Sequence, residues 1–231
     1  VDSLKVSATY AFWHVSLTII IALGLALLVN QRLPGRSLFR GLYYLPSAVS
    51  GVAMTYVWHA MLHREYGMFN QILRMFDLPR IGWLVTTQWA LPSYILMSLW
   101  NVGGAMVIML AGLQSIPEQL YDAAKIDGCA QRGLFRHVTL PMLSPTVFFL
   151  IVVGIIGSLQ VFTSGFMLTA GGPVRSTLFY VLYLYIVAFV ERRFGYASVL
   201  AWLLFLAIMA LTIIQFRLAR HWVYYEAEVP R

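Results

Sequence analysis

Charged residues are scarce in this sequence. Asp, Glu, Lys and Arg together account for 11% of the 231 residues, whereas about a quarter is usual in soluble domains. Hydrophobic residues account for 60% of the chain, and many form runs of about 20 residues, the length that crosses a bilayer as a helix. The composition therefore excludes an ordinary soluble domain and predicts an integral membrane protein of the all-α class.

Cysteine and the common catalytic motifs are also scarce or missing. The single cysteine, Cys129, excludes an internal disulfide and a cysteine-based metal site within one chain. The sequence contains no GxxxxGK[ST] phosphate loop, no HExxH and no GxSxG. We therefore expect no catalytic residue, no metal and no cofactor in this chain, and an intramembrane enzyme is disfavoured.

The net charge of +7 is not concentrated in one patch of the sequence. The basic residues are spread over the segments between apolar runs, where they fit lipid headgroups and membrane topology. Membrane lipid is therefore the expected partner of these charges, and nucleic acid is not expected.

Five apolar runs predict a polytopic bundle of transmembrane helices, which we expect to form one domain over residues 1–231. The predicted spans are residues 10–29, 42–58, 88–113, 145–168 and 194–216. Their interiors lack Asp, Glu, Lys and Arg, which are the usual marks of ion coupling inside a membrane. An ion-coupled secondary transporter is therefore an alternative and not the preferred interpretation.

Local features add detail to these spans. Pro46 predicts a kink in the second span, and Gly103 with Gly104 predicts a small-residue patch that another helix can approach closely. His14 lies near the start of the first span and predicts an interfacial position. Residues 68–76 predict a short interfacial helix, and residues 176–190 are apolar but short for a span.

The most polar stretch lies between the third and fourth spans, where residues 121–141 read YDAAKIDGCAQRGLFRHVTLP. Ser115 and Glu118 have the spacing of a capping box, and Pro117 suits a first helical turn. Gly128 stands where a glycine ends a helix, and residues 130–137 predict a second short helix. Residues 115–141 are therefore expected to form a two-helix elbow on the membrane surface.

The elbow resembles the EAA loop of importer-type ABC transporter permeases. The matching residues, in order, are Asp122, Ala123, Ala124, Asp127, Gly128, Leu140 and Pro141. The sequence departs from the family pattern at Asp122, where glutamate is usual, and at Cys129, where alanine is common. The resemblance implies that these seven residues belong to a cytoplasmic coupling loop, whose helix docks on an ATPase.

The rest of the chain is similar to permeases of the carbohydrate-uptake class, the maltose and glycerol-phosphate type, and to the first of their two paired permeases. The similarity includes GLQSIP before the elbow, Gly171-Gly172-Pro173, and FGYAS at residues 194–198. A permease for a non-sugar solute, such as an amino acid or an osmolyte, is the alternative within this class. These permeases usually have one more span, so we expect a further N-terminal span to be absent from this chain.

The resemblance also implies a set of partners and a location. We expect a second homologous permease, two copies of a cytoplasmic ABC ATPase that carries ATP and magnesium, and an extracytoplasmic solute-binding protein. The location implied is a bacterial or archaeal cytoplasmic membrane. If the elbow is cytoplasmic, basic residues are in slight excess on that side, which agrees with the positive-inside rule.

Contacts with a transported solute are the least determined feature of the sequence. Sugars are bound by polar side chains and aromatic faces, so the candidate wall residues are Asn101, Gln160, Phe162, Thr163 and Tyr183. Helix packing, or an interface with the second permease, is the competing interpretation of each residue.

Overall fold

The structure, a computed structural model, describes residues 2–31 and 35–224, without the side chain of Arg36. The helices are α1 (Asp2–Asn30), α2 (Arg36–Tyr44), α3 (Gly51–Met61), α4 (Met68–Met75), α5 (Thr87–Leu99), α6 (Gly103–Gln114), α7 (Glu118–Ile126), α8 (Gln131–Leu134), α9 (Leu140–Leu159), α10 (Thr163–Leu168), α11 (Tyr180–Tyr185) and α12 (Phe194–Ala219). A 3₁₀ turn covers Leu45–Ala48, and π-helical turns cover Phe135–Thr139 and Ile186–Val190. The described residues contain no strand, which confirms the all-α class.

The number of continuous spans is smaller than the sequence predicted. The segments long and apolar enough to cross a membrane are Asp2–Asn30, Gln131–Leu168 and Phe194–Ala219. The pair α5 and α6 makes a fourth span if its bend of 48° is counted as a break within one span. Five uninterrupted spans are therefore not what the structure shows, although a multi-span helix bundle is.

The predicted span over residues 42–58 is broken in the middle. Pro46 lies in the 3₁₀ turn that follows α2, and Ser50 then accepts a hydrogen bond from the Ala53 amide at 3.3 Å to start α3. Because proline has no amide hydrogen to donate, the helix cannot continue regularly through Pro46. The kink that Pro46 predicted is thus a full interruption.

The bend between α5 and α6 lets α2 approach closely. A Cβ atom on Gly103 would overlap the Tyr43 carbonyl oxygen, so only glycine fits at that position. A Cβ on Gly104 would meet no atom within 4 Å. The predicted small-residue patch therefore admits a helix at Gly103 and not at Gly104.

Helix α1 lies at the centre of the bundle. It begins at Asp2, earlier than predicted, because Ser3 and Ser7 are buried and the Ser7 hydroxyl accepts the Tyr180 amide at 2.9 Å. Ala22 and Ala26 are fully buried, and their four-residue spacing places them on one face. That face packs against α6 and α9 in a cluster that includes Met106, Met109, Leu113 and Leu143.

The bundle has two distinct ends. At one end, Val29 of α1 shares a hydrophobic cluster with Leu113 and Ile116, which lead into the elbow. The residues that follow α12 lie at this end too, since the Tyr224 amide donates to the Ser144 hydroxyl of α9 at 2.9 Å. The segments between α3 and α5 and between α10 and α11 belong to the opposite end.

Buried polar residues fix the segments at that opposite end. Asn70 is 1% exposed, and its amide nitrogen donates to the carbonyls of Arg64 and Ile81 at 2.9 Å each. The Asn70 oxygen accepts from the Ile81 amide at 3.0 Å and from the Trp83 indole at 3.2 Å. These bonds hold α4, which was predicted as a short helix, against the loop that follows it.

The turn after α10 is tied to α5 in a similar way. The Tyr94 hydroxyl lies 2.9 Å from the Thr169 hydroxyl, which lies 2.6 Å from that of Thr177. Ala170 and Gly171 between them have positive φ angles, and the Gly172–Pro173 bond is cis. The helical segment Tyr180–Val190 follows, and it is short for a span, as predicted.

Candidate functional site

Helix α7 is the exposed part of the elbow. The sequence predicted a helix that ends before Gly128, and α7 runs over Glu118–Ile126. None of its residues is buried, and Ile126 at its end is 87% exposed. Ala123 is exposed and Ala124 half-buried, while Lys125 donates to the Asp122 carboxylate at 2.9 Å on the outer surface. The helix therefore presents small, apolar and acidic side chains to whatever lies beyond the bundle.

The C-terminal end of α7 is closed by a Schellman motif. The Gly128 amide donates to the Lys125 carbonyl and the Cys129 amide to the Ala124 carbonyl, each at 3.0 Å. Gly128 has a φ of +80°, a left-handed conformation that costs other residues about 1–2 kcal/mol. The predicted helix-ending glycine is thus present, and the chain turns sharply there.

The N-terminal end of α7 differs from the prediction, because no capping box forms. Pro117 is the residue that precedes the first turn, and it has no side-chain hydrogen bond to offer. The Ser115 hydroxyl donates to the Gly112 carbonyl at 2.8 Å, so it serves the end of α6. The spacing of Ser115 and Glu118 was correct for a capping box, but Ser115 belongs to the preceding helix.

The second half of the elbow is continuous with the next span. The second short helix predicted over residues 130–137 is present as α8 and the π-turn Phe135–Thr139, and it passes directly into α9. Pro145 lies inside α9, whereas the sequence placed it at the start of the span. Pro145 cannot donate to the Pro141 carbonyl, and the Ser144 hydroxyl donates to it instead at 2.6 Å.

The residues of the EAA-like motif, at positions 122–128 and 140–141, lie together at one end of the bundle. Asp122, Ala123 and Ala124 lie on α7, with Asp127 and Gly128 at its end. Leu140 and Pro141 form the first turn of α9. The Tyr121 hydroxyl of α7 lies 3.1 Å from the Thr139 hydroxyl, which joins the two halves.

A polar cleft lies between α1, α3 and α5. It has a volume of about 330 Å³, and Asn101, His14, Thr18, Thr55 and Ser98 are among its lining residues. The His14 Nδ1 atom lies 2.8 Å from the Ser98 hydroxyl oxygen. Polar side chains inside apolar helices are costly in a membrane and commonly mark a functional site. Of the candidate wall residues, Asn101 is the one placed in this cleft.

The contribution of α1 side chains to the lining of the cleft was not predicted from the sequence. A first span that begins at residue 10 predicts an interfacial His14, whereas α1 begins at Asp2 and places His14 inside the helix. Tyr10, His14 and Thr18 follow each other at four-residue spacing and line the same cleft. The rings of Tyr10 and His14 stack at 5.3 Å with an angle of 7° between them. This four-residue spacing is the sequence feature that indicates a common polar face on α1.

The other candidate wall residues do not join Asn101. Tyr183 lines a separate cleft of about 500 Å³ between the start of α1, α11 and α12. The Phe162 ring stacks on the Phe166 ring with 5.7 Å between the ring centroids, and its centroid lies 5.1 Å from that of Tyr185. Gln160 and Thr163 are exposed at the break between α9 and α10. Whether these four residues contact a solute stays a prediction.

The bundle and the elbow together define the class. This is a multi-pass helical membrane protein that carries an exposed helix between two long membrane-crossing segments. A crystal structure of a bacterial ABC transporter involved in the import of the acidic polysaccharide alginate has the same fold, with a TM-score of 0.86. The two chains are 22% identical, and the match covers 95% of this chain and 78% of the other.

The sequence comparisons identify the family. Residues 16–223 match the model of the binding-protein-dependent transport system inner membrane component, and the chain belongs to this family. The probable ABC transporter permease protein YesP of Bacillus subtilis (strain 168) is 36% identical over 98% of this chain and 74% of its own length. The trehalose/maltose transport system permease protein MalF of Thermococcus litoralis is 33% identical over 93% and 73%.

A further relative is the lactose transport system permease protein LacF of Rhizobium radiobacter, which is 34% identical over 92% of this chain and 74% of its own length. The family is one of transport components, so this chain is an ABC transporter permease, and the permease is not itself an enzyme. The resemblance that the elbow indicated is thereby confirmed at the level of the family.

Proposed function

We propose that this chain forms one half of the translocation pathway of an ATP-driven importer for a sugar or a sugar-like solute. A second homologous permease supplies the other half, and the chain acts as a single transmembrane domain. The named relatives support the solute class, because they include permeases for trehalose and maltose, for lactose and for sulfoquinovosyl glycerol. The structural neighbour imports alginate, which is also a carbohydrate.

The observation that carries this proposal is the geometry of α7. A helix with no buried residue contributes little to the bundle that carries it, so its exposed sides are available to another protein. We propose that this partner is a cytoplasmic ABC ATPase, present in two copies, which binds ATP and magnesium and hydrolyses the ATP. Ala123 and Ala124 allow a close approach, and Asp122 and Asp127 offer charge-assisted hydrogen bonds to basic groups.

An extracytoplasmic solute-binding protein completes the proposed machine. The alginate transporter has been crystallised in complex with a periplasmic protein bound to an alginate pentasaccharide, which supports such a partner here. The elbow would then face the cytoplasm, and the segment after α10 would face the solute-binding protein. The location that follows is the cytoplasmic membrane of a bacterium or an archaeon.

For the pathway itself, we propose that the cleft beside Asn101 forms part of the wall. Asn101 lies in the interruption between α5 and α6, where its side chain is exposed. Ser98, His14 and Thr18 add hydroxyl and imidazole groups within the same cleft. Such groups exchange hydrogen bonds with the hydroxyl groups of a sugar.

The experiment that tests the proposal is purification of this chain from its native membrane in mild detergent, with mass spectrometry of the proteins that accompany it. We expect one homologous permease per chain and an ABC ATPase in twofold amount. Recovery of the chain alone, or as a homo-oligomer, from membranes whose other complexes stay intact would contradict the proposal. A ligand screen of a co-purified solute-binding protein would then distinguish sugars from amino acids and osmolytes.

A further inference from the structure

One hydrogen-bonded contact links α7 to the long helix that follows it. The Tyr121 hydroxyl lies 3.1 Å from the Thr139 hydroxyl, and the Thr139 hydroxyl lies 3.4 Å from the Leu134 carbonyl oxygen. A hydroxyl has one proton, so when Thr139 donates to Leu134, Tyr121 is the donor to Thr139. The chain of contacts therefore runs from α7 through the π-turn to the end of α8.

The burial of these residues makes the contact persistent. Thr139 is 6% exposed and Tyr121 is half-buried against the hydrophobic cluster of α1, α6 and α9. A buried hydroxyl that loses its partner must give up a hydrogen bond without gaining water in exchange. Helix α7 has no buried residue, and Tyr121 is the α7 side chain that packs against this hydrophobic cluster.

The π-turn is a place where the long helix can bend. The Leu140 amide bonds to the Phe135 carbonyl, which is a wider ring than an α-helix has. Pro141 and Pro145 lie just beyond it, and each removes one further backbone hydrogen bond. π-turns within α-helices occur frequently at functional sites.

We propose that Tyr121 and Thr139 are positioning residues that carry a displacement of α7 into α9, with the π-turn Phe135–Thr139 as the joint. This inference rests on the proposed function, because it needs a partner that moves α7. Helix α9 packs against α1, the helix that carries His14 of the cleft, since a Cβ on Gly154 would lie 3.2 Å from the Val15 side chain. The contact thus connects α7 to α9, and α9 packs against the helix that lines the cleft with Tyr10, His14 and Thr18.

The test uses the intact transporter reconstituted in proteoliposomes, with Tyr121→Phe and Thr139→Val as separate variants and as a pair. Each change keeps the shape of the side chain and removes the hydroxyl. We expect the complex to keep its composition and its ATP hydrolysis, while solute transported per ATP hydrolysed falls about fivefold, the value of one hydrogen bond. The pair should lose no more than either single variant, because both remove the same bond.

Ser115→Ala is the matched control, since Ser115 lies in the same elbow but donates only to its own helix at Gly112. The solute transported per ATP hydrolysed should be the same in this variant as in the unchanged protein. If Thr139→Val impairs assembly, Thr139→Ser, which keeps the hydroxyl, must restore both assembly and the ratio, and failure to restore the ratio would overturn the inference. So would a normal ratio in Tyr121→Phe. Absence of any ATPase from the complex would instead refute the proposed function.

Discussion

Single polar side chains replace missing backbone bonds and tie segments together throughout this bundle. Ser144 supplies the hydrogen bond that Pro145 cannot give to the Pro141 carbonyl. Asn70 satisfies four groups of the loop around α4, and Tyr94 holds the turn at Thr169. In a membrane, unpaired backbone groups are costly, so such residues determine where a helix can be interrupted.

The role of Asn101 in the cleft can be tested by substitution. Asn101→Ala should raise the KM for uptake about fivefold, because one hydrogen bond to the solute, worth about 1 kcal/mol, is lost. Uptake by the reconstituted complex, measured over a range of solute concentrations, checks this. Gln160→Ala, at the break between α9 and α10, is the parallel variant at a candidate wall residue outside the cleft, and it should raise KM less than Asn101→Ala does. A larger effect at Gln160 than at Asn101 would place the wall at that break.

The role of a single residue could be predicted when it depends on local backbone geometry, and not when it depends on the choice of a hydrogen-bond partner. Gly128 was predicted correctly because a left-handed helix end depends on local backbone geometry. The capping box at Ser115 failed because the hydroxyl had a nearer acceptor at Gly112. The pairing of His14 with Ser98 could not be predicted, because 84 residues separate them in the sequence.

At the scale of helices, interruptions rather than continuous spans characterise this fold. The break at Pro46 and the bend before Gly103 divide apolar runs that the sequence presents as continuous, and the π-turn before Leu140 lies between the polar elbow and α9. Hydropathy predicted the runs correctly, since apolar content is a local property. The early start of α1 could not be read from the sequence, because polar residues such as Ser7 are buried there by contact with the distant Tyr180.

Two adjacent glycines provide a matched test of the contact between α2 and α6. Gly103→Ala should lower stability by about 1–3 kcal/mol, because the added methyl overlaps the Tyr43 carbonyl and α2 must shift. Gly104→Ala places its methyl in open space and should be neutral, or stabilising by up to about 1 kcal/mol. The unfolding midpoints of the purified proteins in detergent check this. Equal midpoints for the two variants would contradict the close contact.

At the scale of the whole molecule, α1 extends between the two ends of the bundle and contacts both. The elbow and the end of α12 meet at one end, while the start of α1 shares a cleft with Arg175 at the other. The sequence predicted this division through the elbow motif and its resemblance to ABC permeases, and the family match confirms the class of protein. The polar cleft that holds Asn101, His14 and Thr18 could not be predicted, because it depends on how separate helices pack.

Site-specific cross-linking is the most direct test of the proposed docking of α7 on an ATPase. In a Cys129→Ser background, Ile126→Cys and Val174→Cys place single thiols at positions that are 87% and 89% exposed, at opposite ends of the bundle. A thiol-attached photo-cross-linker is activated in native membranes, and the adducts are identified by mass spectrometry. We expect an ABC ATPase peptide joined to position 126 and none joined to position 174. ATPase adducts at position 174, or their absence at position 126 in an assembled complex, would contradict it.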